Sequence, residues 1–161
     1  MDRPPKTLDA IGTVVRLGLA AVWLFAGVPK LTDLNQNYLA VRDYRLFNDA
    51  TASVVSAAQP ILEIALGVLL VLGIGIRVTG ALSALLLLIY IAGITQAWAR
   101  GLHIDCGCFS RGGTVAPDQT TYPADIARDV GFLALALWLT VRPHTLLSLD
   151  AVLLRDGRGA Q

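Results

Sequence analysis

Charged residues are scarce in this chain. Asp, Glu, Lys and Arg make up 16% of its 161 residues, whereas a soluble domain of this length carries about 25%. The formal net charge is only +1, so the chain lacks the basic stripe that nucleic-acid binding requires. Hydrophobic residues reach 55% and the mean hydropathy is +0.60. This composition excludes a nucleic-acid-binding domain and is typical of integral membrane proteins.

Apolar residues lie in four long blocks instead of alternating with polar ones. Each block is close to the ~17–25 residues that cross ~30 Å of hydrocarbon. Backbone groups inside lipid have no water to bind, so each block is expected to form a helix. We predict an all-α integral membrane protein, one DoxX-like four-helix bundle over residues 1–161, with spans at 11–28, 60–76, 78–98 and 126–141.

The first block follows a charged start, as a cleaved signal peptide would, but it is long and no clean A-x-A site follows it. We therefore expect it to remain as the first span. Four spans put both termini on one side of a plasma membrane, and Arg77 and Arg142 favour the cytoplasmic side. The two long loops, 29–59 and 99–125, are then extracytoplasmic. Residues 37–48 fit either a short interfacial helix or an ordinary loop.

Five ionisable residues lie within or beside the predicted spans: Arg16, Lys30, Glu63, Arg128 and Asp129. Such residues are costly in lipid and indicate function by default. Arg16 lies about 8 Å from the cytoplasmic end of its span, so its side chain is expected to reach the interface. The other four lie at outer span ends, where we expect a charge cluster beneath the second loop. That cluster either supports chemistry in the loop or only locks helices together.

The chain has only two cysteines, Cys106 and Cys108, with Gly107 between them. No third cysteine competes for either thiol, and disulfides persist outside the cytoplasm. A ring closed across three residues is strained and easily reduced, and Gly107 permits the positive-φ turn that it needs. Such a pair suits disulfide exchange better than structural cross-linking, which makes Cys106 and Cys108 the candidate redox residues.

A metal site is the alternative interpretation of the same loop. His103, Cys106 and Cys108 are ligand types that bind Cu(I) or Zn²⁺. The segment offers no obvious fourth ligand. The rival function is therefore a metal-binding protein, or a subunit that helps a membrane complex to assemble without turnover.

Several segments together resemble the MauE/DoxX superfamily of small four-helix membrane proteins, and its MauE branch most closely. They are "RLGLAAVWLFAGVPKL" (16–31), "YRLFN" (44–48), "QPILEIALGVLLVLG" (59–73), "DCGCF" (105–109) and "ARD" (127–129). The similarity extends over nearly the whole chain, and the segments follow in the family's order and spacing.

This resemblance implies extracytoplasmic thiol–disulfide chemistry, because MauE proteins are associated with methylamine utilisation and with maturation of a disulfide-rich periplasmic dehydrogenase. It also implies an extracytoplasmic partner with a thioredoxin fold or a disulfide. The four-helix layout is similar to that of disulfide-generating proteins of the DsbB and vitamin K epoxide reductase type, so a quinone cofactor stays open. Those proteins use more cysteines than this chain has. The direction of electron flow and the identity of the attacking cysteine are left undecided.

Overall fold

A computed structural model describes residues 6–107, 112–146 and 148–149 of the chain. Its helices are α1 (Lys6–Thr32), α2 (Leu34–Asp43), α3 (Asp49–Leu72), α4 (Ile76–Ala99) and α5 (Tyr122–Val141), with a short 3-10 helix at Pro117–Gln119. Two strands, β1 (Ile104–Asp105) and β2 (Gly113–Thr114), form an antiparallel hairpin between α4 and α5. The described part of the chain is thus mainly helical.

The long helices pack in two pairs, α1 against α3 and α4 against α5. Trp23, Leu66, Leu70, Leu87 and Leu139 form the centre of the shared core. Large apolar side chains also cover the outside of the helices, and several are more than 60% exposed: Val14, Phe25, Val54, Ile61, Val78 and Val141. Helices that are apolar all round are typical of membrane spans.

Three helices are long and apolar enough to cross a membrane: Thr7–Thr32, Asp49–Leu72 and Ile76–Ala99. These helices contain or overlap the first three predicted spans. The segment predicted as the fourth span lies in α5, which is helical over 20 residues. This helix is less apolar than the other three, since the charged residues Asp125, Arg128 and Asp129 lie in its first two turns.

The start of α3 lies at Asp49 and not at Pro60, where the second span was placed. Asn48 caps the helix by accepting a hydrogen bond from the Thr51 backbone N–H at 2.8 Å. Pro60 therefore lies inside the helix, where it has no N–H to donate to the Ser56 carbonyl. That carbonyl accepts a hydrogen bond from Asn37 Nδ2 on α2 at 2.7 Å instead. Most of the predicted loop 29–59 is consequently helical, and residues 37–43 of the segment that fitted either a short helix or a loop belong to α2.

The second span was also placed too far along the chain at its other end. Gly73 ends α3 in the left-handed conformation, with φ of 69°, and Ile76 already belongs to α4. A side chain at Gly73 would collide with Arg16 and with Ser148. The short turn makes α3 and α4 antiparallel, yet each of them packs more extensively against another helix than against its neighbour in sequence.

The molecule has two distinct ends. The turn end holds the α3–α4 turn, the start of α1 and the segment after α5, where Leu146 N–H donates to Thr13 Oγ1 at 2.9 Å. The loop end holds α2 and the β1–β2 hairpin, which are joined by a hydrogen bond from Gln36 Nε2 to the Gly112 carbonyl at 3.4 Å.

Candidate functional site

The β1–β2 hairpin carries Cys106 at the loop end. Ile104 pairs with Thr114 and Asp105 with Gly113, so Cys106 directly follows the paired part of β1. Gly107 has φ of 69°, the positive-φ conformation expected of it. Its N–H donates to Asp105 Oδ1 at 3.1 Å, which steadies the turn next to Cys106.

Two tyrosines hold this hairpin against the helices. The Tyr122 hydroxyl at the start of α5 donates to the Leu102 carbonyl at 2.6 Å and accepts from the Ile104 N–H at 3.1 Å. The Tyr44 hydroxyl donates to the Cys106 carbonyl at 2.9 Å. Sequence reasoning missed both residues. The available signal was the position of each tyrosine beside a helix end, where an apolar ring with a polar tip is useful.

Arg128 on α5 contacts the cysteine directly. Its Nη2 lies 3.8 Å from Cys106 Sγ, and its guanidinium is held by Asp125 Oδ1 at 2.9 Å and Asp129 Oδ1 at 3.1 Å. A nearby guanidinium favours the thiolate form of a cysteine. Asp125 was absent from the predicted cluster, although its i,i+3 spacing from Arg128 is a recognisable helical pair.

Lys30 and Glu63 form a buried ion pair between α1 and α3, with Nζ 2.6 Å from Oε1. The Tyr90 hydroxyl on α4 donates to the same carboxylate oxygen at 2.5 Å and accepts from Gln59 Nε2 at 3.0 Å. The Lys30 ammonium also lies 5.6 Å from the centroid of the Tyr90 ring. Three helices therefore meet at one charged contact, and Tyr90 and Gln59 are members that sequence reasoning did not include.

Two carboxylates in this region are incompletely satisfied. Glu63 and Asp129 are 0% and 2% exposed. Glu63 Oε2 and Asp129 Oδ2 are buried and have no hydrogen-bond partner in the described part of the chain. Lys30 is near enough to Asp129 to act on its charge. The Lys30–Glu63 pair and the Arg128–Asp129 pair are thus electrostatically linked.

Arg16 does not belong to this cluster. It is 2% exposed and its Nη1 donates to Thr145 Oγ1 at the turn end, at 3.3 Å. Lys30 follows it by fourteen positions on the same helix, a distance of about 21 Å. The structure therefore pairs Lys30 with Glu63, places Arg128 between Asp129 and Cys106, and leaves Arg16 apart.

The structure describes two members of the proposed ligand set, His103 and Cys106. Cys108 lies outside the described residues. His103 is exposed next to β1. Within the ranges that the structure describes, no three His, Cys, Asp or Glu side chains are grouped closely enough to hold a metal ion.

The family model "Methylamine utilisation protein MauE" matches residues 8–142. The chain belongs to the MauE family. The match includes every described residue of the charged site, from Lys30 to Asp129, and the hairpin that carries Cys106. Together with the three apolar helices, family membership identifies a multi-pass membrane protein.

The "Methylamine utilization protein MauE" of Paracoccus denitrificans is similar to this MauE-family chain, with 33% identity over 99 residues. The alignment covers 61% of this chain and 53% of that protein. The chain thus spans about half the length of its curated relative. No solved structure matches it significantly.

Proposed function

We propose that this protein is a four-helix membrane protein that exchanges disulfides through Cys106 and Cys108 on the extracytoplasmic side. In this proposal α5 is the fourth span, which puts both termini in the cytoplasm. The contacts of Thr13 with Leu146 and of Arg16 with Thr145 support a fourth crossing, because they bring the start of α1 and the segment after α5 to one end. Three crossings would leave these segments on opposite sides.

The observation that carries the proposal is the 3.8 Å contact between Arg128 Nη2 and Cys106 Sγ. The reacting form of a cysteine is the thiolate, and an adjacent guanidinium stabilises it. Asp125 and Asp129 hold that guanidinium in place through hydrogen bonds. A partly buried guanidinium in contact with the sulfur of a loop cysteine supports exchange chemistry over a purely structural thiol.

The exchange proceeds in two steps. A thiolate of the pair attacks one sulfur of a partner disulfide, and the electron pair of the broken S–S bond leaves on the other partner sulfur. The second cysteine then attacks the mixed disulfide, which closes the Cys106–Cys108 bond and releases the partner as a dithiol. The reverse sequence oxidises the partner. Thiol–disulfide exchange itself needs no quinone, so the proposal includes none.

The name of the Paracoccus denitrificans relative supports a substrate class. We assign the partner as an extracytoplasmic protein of methylamine utilisation that either has a thioredoxin fold or acquires disulfides during maturation. A half-buried Cys106 at the loop end of the molecule suits contact with a soluble protein. The charged site beneath it then positions the hairpin and stabilises the thiolate.

Trapping of the mixed disulfide tests this proposal. Cys108→Ser and Cys106→Ser variants are each expressed in native membranes, and a Cys106→Ser/Cys108→Ser variant serves as the matched control. We expect one single variant to form a reducible covalent complex with an extracytoplasmic protein, since its intermediate cannot be resolved. Absence of a complex from both single variants under mild oxidation would contradict the proposal. Full methylamine-dependent growth of the double variant would also contradict it.

A further inference from the structure

Among the residues that the structure describes, the charged groups beneath the cysteine hairpin do not balance. Three carboxylates and two cations contact or act on one another across α1, α3 and α5: Glu63, Asp125, Asp129, Lys30 and Arg128. Fully ionised, this cluster holds one more negative than positive charge. One buried carboxylate of the cluster therefore has no cation to balance it, and such a carboxylate readily accepts a proton.

The structure also provides a place for that proton. Asp129 is 2% exposed, and both of its contacts with Arg128 use Oδ1, at 3.1 Å from Nε and from Nη2. Asp129 Oδ2 is buried and has no hydrogen-bond partner among the described residues. Asp125, by contrast, uses both carboxylate oxygens, since Thr121 Oγ1 donates to its Oδ2 at 2.8 Å. Of the two carboxylates that bind Arg128, Asp129 is therefore the better proton acceptor, through its Oδ2.

One nitrogen joins this carboxylate to the cysteine. Arg128 Nη2 contacts both Asp129 Oδ1, at 3.1 Å, and Cys106 Sγ, at 3.8 Å. When Cys106 is a thiol, the Arg128 guanidinium contacts two anions, the carboxylates of Asp125 and Asp129. When Cys106 is a thiolate, the same guanidinium contacts three anions. Unless the released proton binds within the cluster, its excess negative charge then rises by one.

We propose that Asp129 takes up the proton that leaves Cys106 when its thiolate forms, an inference that rests on the proposed exchange function. The S–H bond breaks with its electron pair on sulfur, and the proton is bound at Asp129 Oδ2. The total charge of the cluster is unchanged by this transfer. After the thiolate has attacked a partner disulfide, Asp129 returns the proton to the partner sulfur that leaves.

Several described charged or titratable groups surround this transfer. On α5 these are Arg128 and Asp125, on the hairpin Asp105, and on α1 Lys30 with its partners Glu63 and Tyr90. Tyr44, at the end of α2, binds the Cys106 carbonyl. Asp105 supplies the matched control, because it is a carboxylate that adjoins Cys106 in sequence and whose Oδ1 accepts a hydrogen bond from the Gly107 N–H. Glu63 supplies the competing assignment, because its Oε2 is also buried without a partner in the described chain.

Infrared titration of the purified protein in detergent tests the transfer. The Cys108→Ser variant keeps a single thiol, whose S–H stretching band is followed from acid to alkaline pH together with the C=O band of protonated carboxyl groups. Coupled groups titrate in two macroscopic steps. We expect the S–H band to disappear in two steps, with a protonated carboxyl band present between them.

Adding Asp129→Asn should remove that carboxyl band and leave a single step in the loss of the S–H band, whereas adding Asp105→Asn should change neither. A carboxyl band that survives Asp129→Asn, or that is lost in Glu63→Gln instead, would overturn the assignment. So would loss of the S–H band in one step in the Cys108→Ser protein. The measurement uses no partner protein, so its failure would leave the trapping result intact, and failed trapping would leave the proton site intact.

Discussion

At the scale of single residues, the contact between Lys30 and Glu63 shows why charges are kept inside an apolar protein. Removing two ions from water is costly. Their mutual attraction offsets this desolvation only when they are close together and when further hydrogen bonds satisfy their remaining donors and acceptors. Lys30 and Glu63 meet at 2.6 Å, and Tyr90 adds a hydrogen bond to the same oxygen. The pair therefore joins α1 to α3, and Tyr90 extends the contact to α4.

Breaking this pair on one side should be more damaging than removing it completely. Lys30→Met leaves the Glu63 carboxylate buried without its cation and should lower the free energy of unfolding by about 3–5 kcal/mol. The Lys30→Met/Glu63→Gln double variant removes both charges, so it should recover most of that loss. Unfolding in detergent, followed by circular dichroism, measures both values. The Glu63→Gln single variant is measured in the same way. A double variant whose loss of unfolding free energy equals the sum of the losses in Lys30→Met and Glu63→Gln would contradict this expectation.

At the scale of the helix, α3 shows how a proline is accommodated inside a span. Pro60 interrupts the backbone hydrogen bonding of α3 and leaves the Ser56 carbonyl without its donor. Asn37 on the short helix α2 supplies the missing donor, at 2.7 Å, and is itself 6% exposed. Thus α2 binds α3 at the point where Pro60 leaves a backbone hydrogen bond of α3 unmade.

This arrangement predicts a compensating pair of substitutions. Asn37→Ala should destabilise the protein by about 1–3 kcal/mol, because the Ser56 carbonyl loses the side-chain donor that replaces the missing Pro60 N–H. Pro60→Ala restores a backbone N–H at the position that normally donates to residue 56, so adding it should reduce the cost of Asn37→Ala. Asn35→Ala, at an exposed position on the same helix, is the matched control and should change little. Strict additivity of Asn37→Ala and Pro60→Ala in the same unfolding measurement would contradict the explanation.

The sequence predicted the helices better than their ends. Hydropathy marks where a helix must be apolar, but α3 continues for eleven residues before Pro60 through alanine, serine and valine. Those residues lie outside the apolar block and still form helix, because Asn48 caps it and packing against α1 and α2 stabilises it. The end at Gly73 was missed for the opposite reason. Apolar residues continue through the turn, so only the conformation of glycine marks the boundary.

At the scale of the whole molecule, the two ends differ in the groups that they hold. The turn end is closed by Arg16 and the segment after α5, whereas the loop end presents the cysteine hairpin above the charged cluster. An even number of crossings is the membrane arrangement that keeps all contacts at the turn end. The proposed orientation places this end in the cytoplasm.

Labelling with an impermeant thiol reagent tests this orientation. In intact cells and after mild reduction, Cys106 and Cys108 should be labelled without permeabilisation. Ile74→Cys in a background without the two native cysteines is the matched control at the turn end, where residue 74 is 36% exposed. It should be labelled only after permeabilisation. The reverse pattern would invert the orientation and place the hairpin in the cytoplasm, where disulfides do not persist.

The sequence by itself determined the class of this protein and the residue types of its site. Long apolar blocks require membrane helices because lipid cannot bind a bare backbone, and costly ions in such blocks indicate a site. The three-dimensional structure alone decided which residues meet: Arg128 with Cys106, Tyr90 with Glu63 and Asn37 with Ser56. These contacts join different elements, and they depend on how each helix is rotated and shifted along its neighbour. A helix that is apolar on all sides carries little information in its hydropathy about that rotation, so tertiary packing sets it.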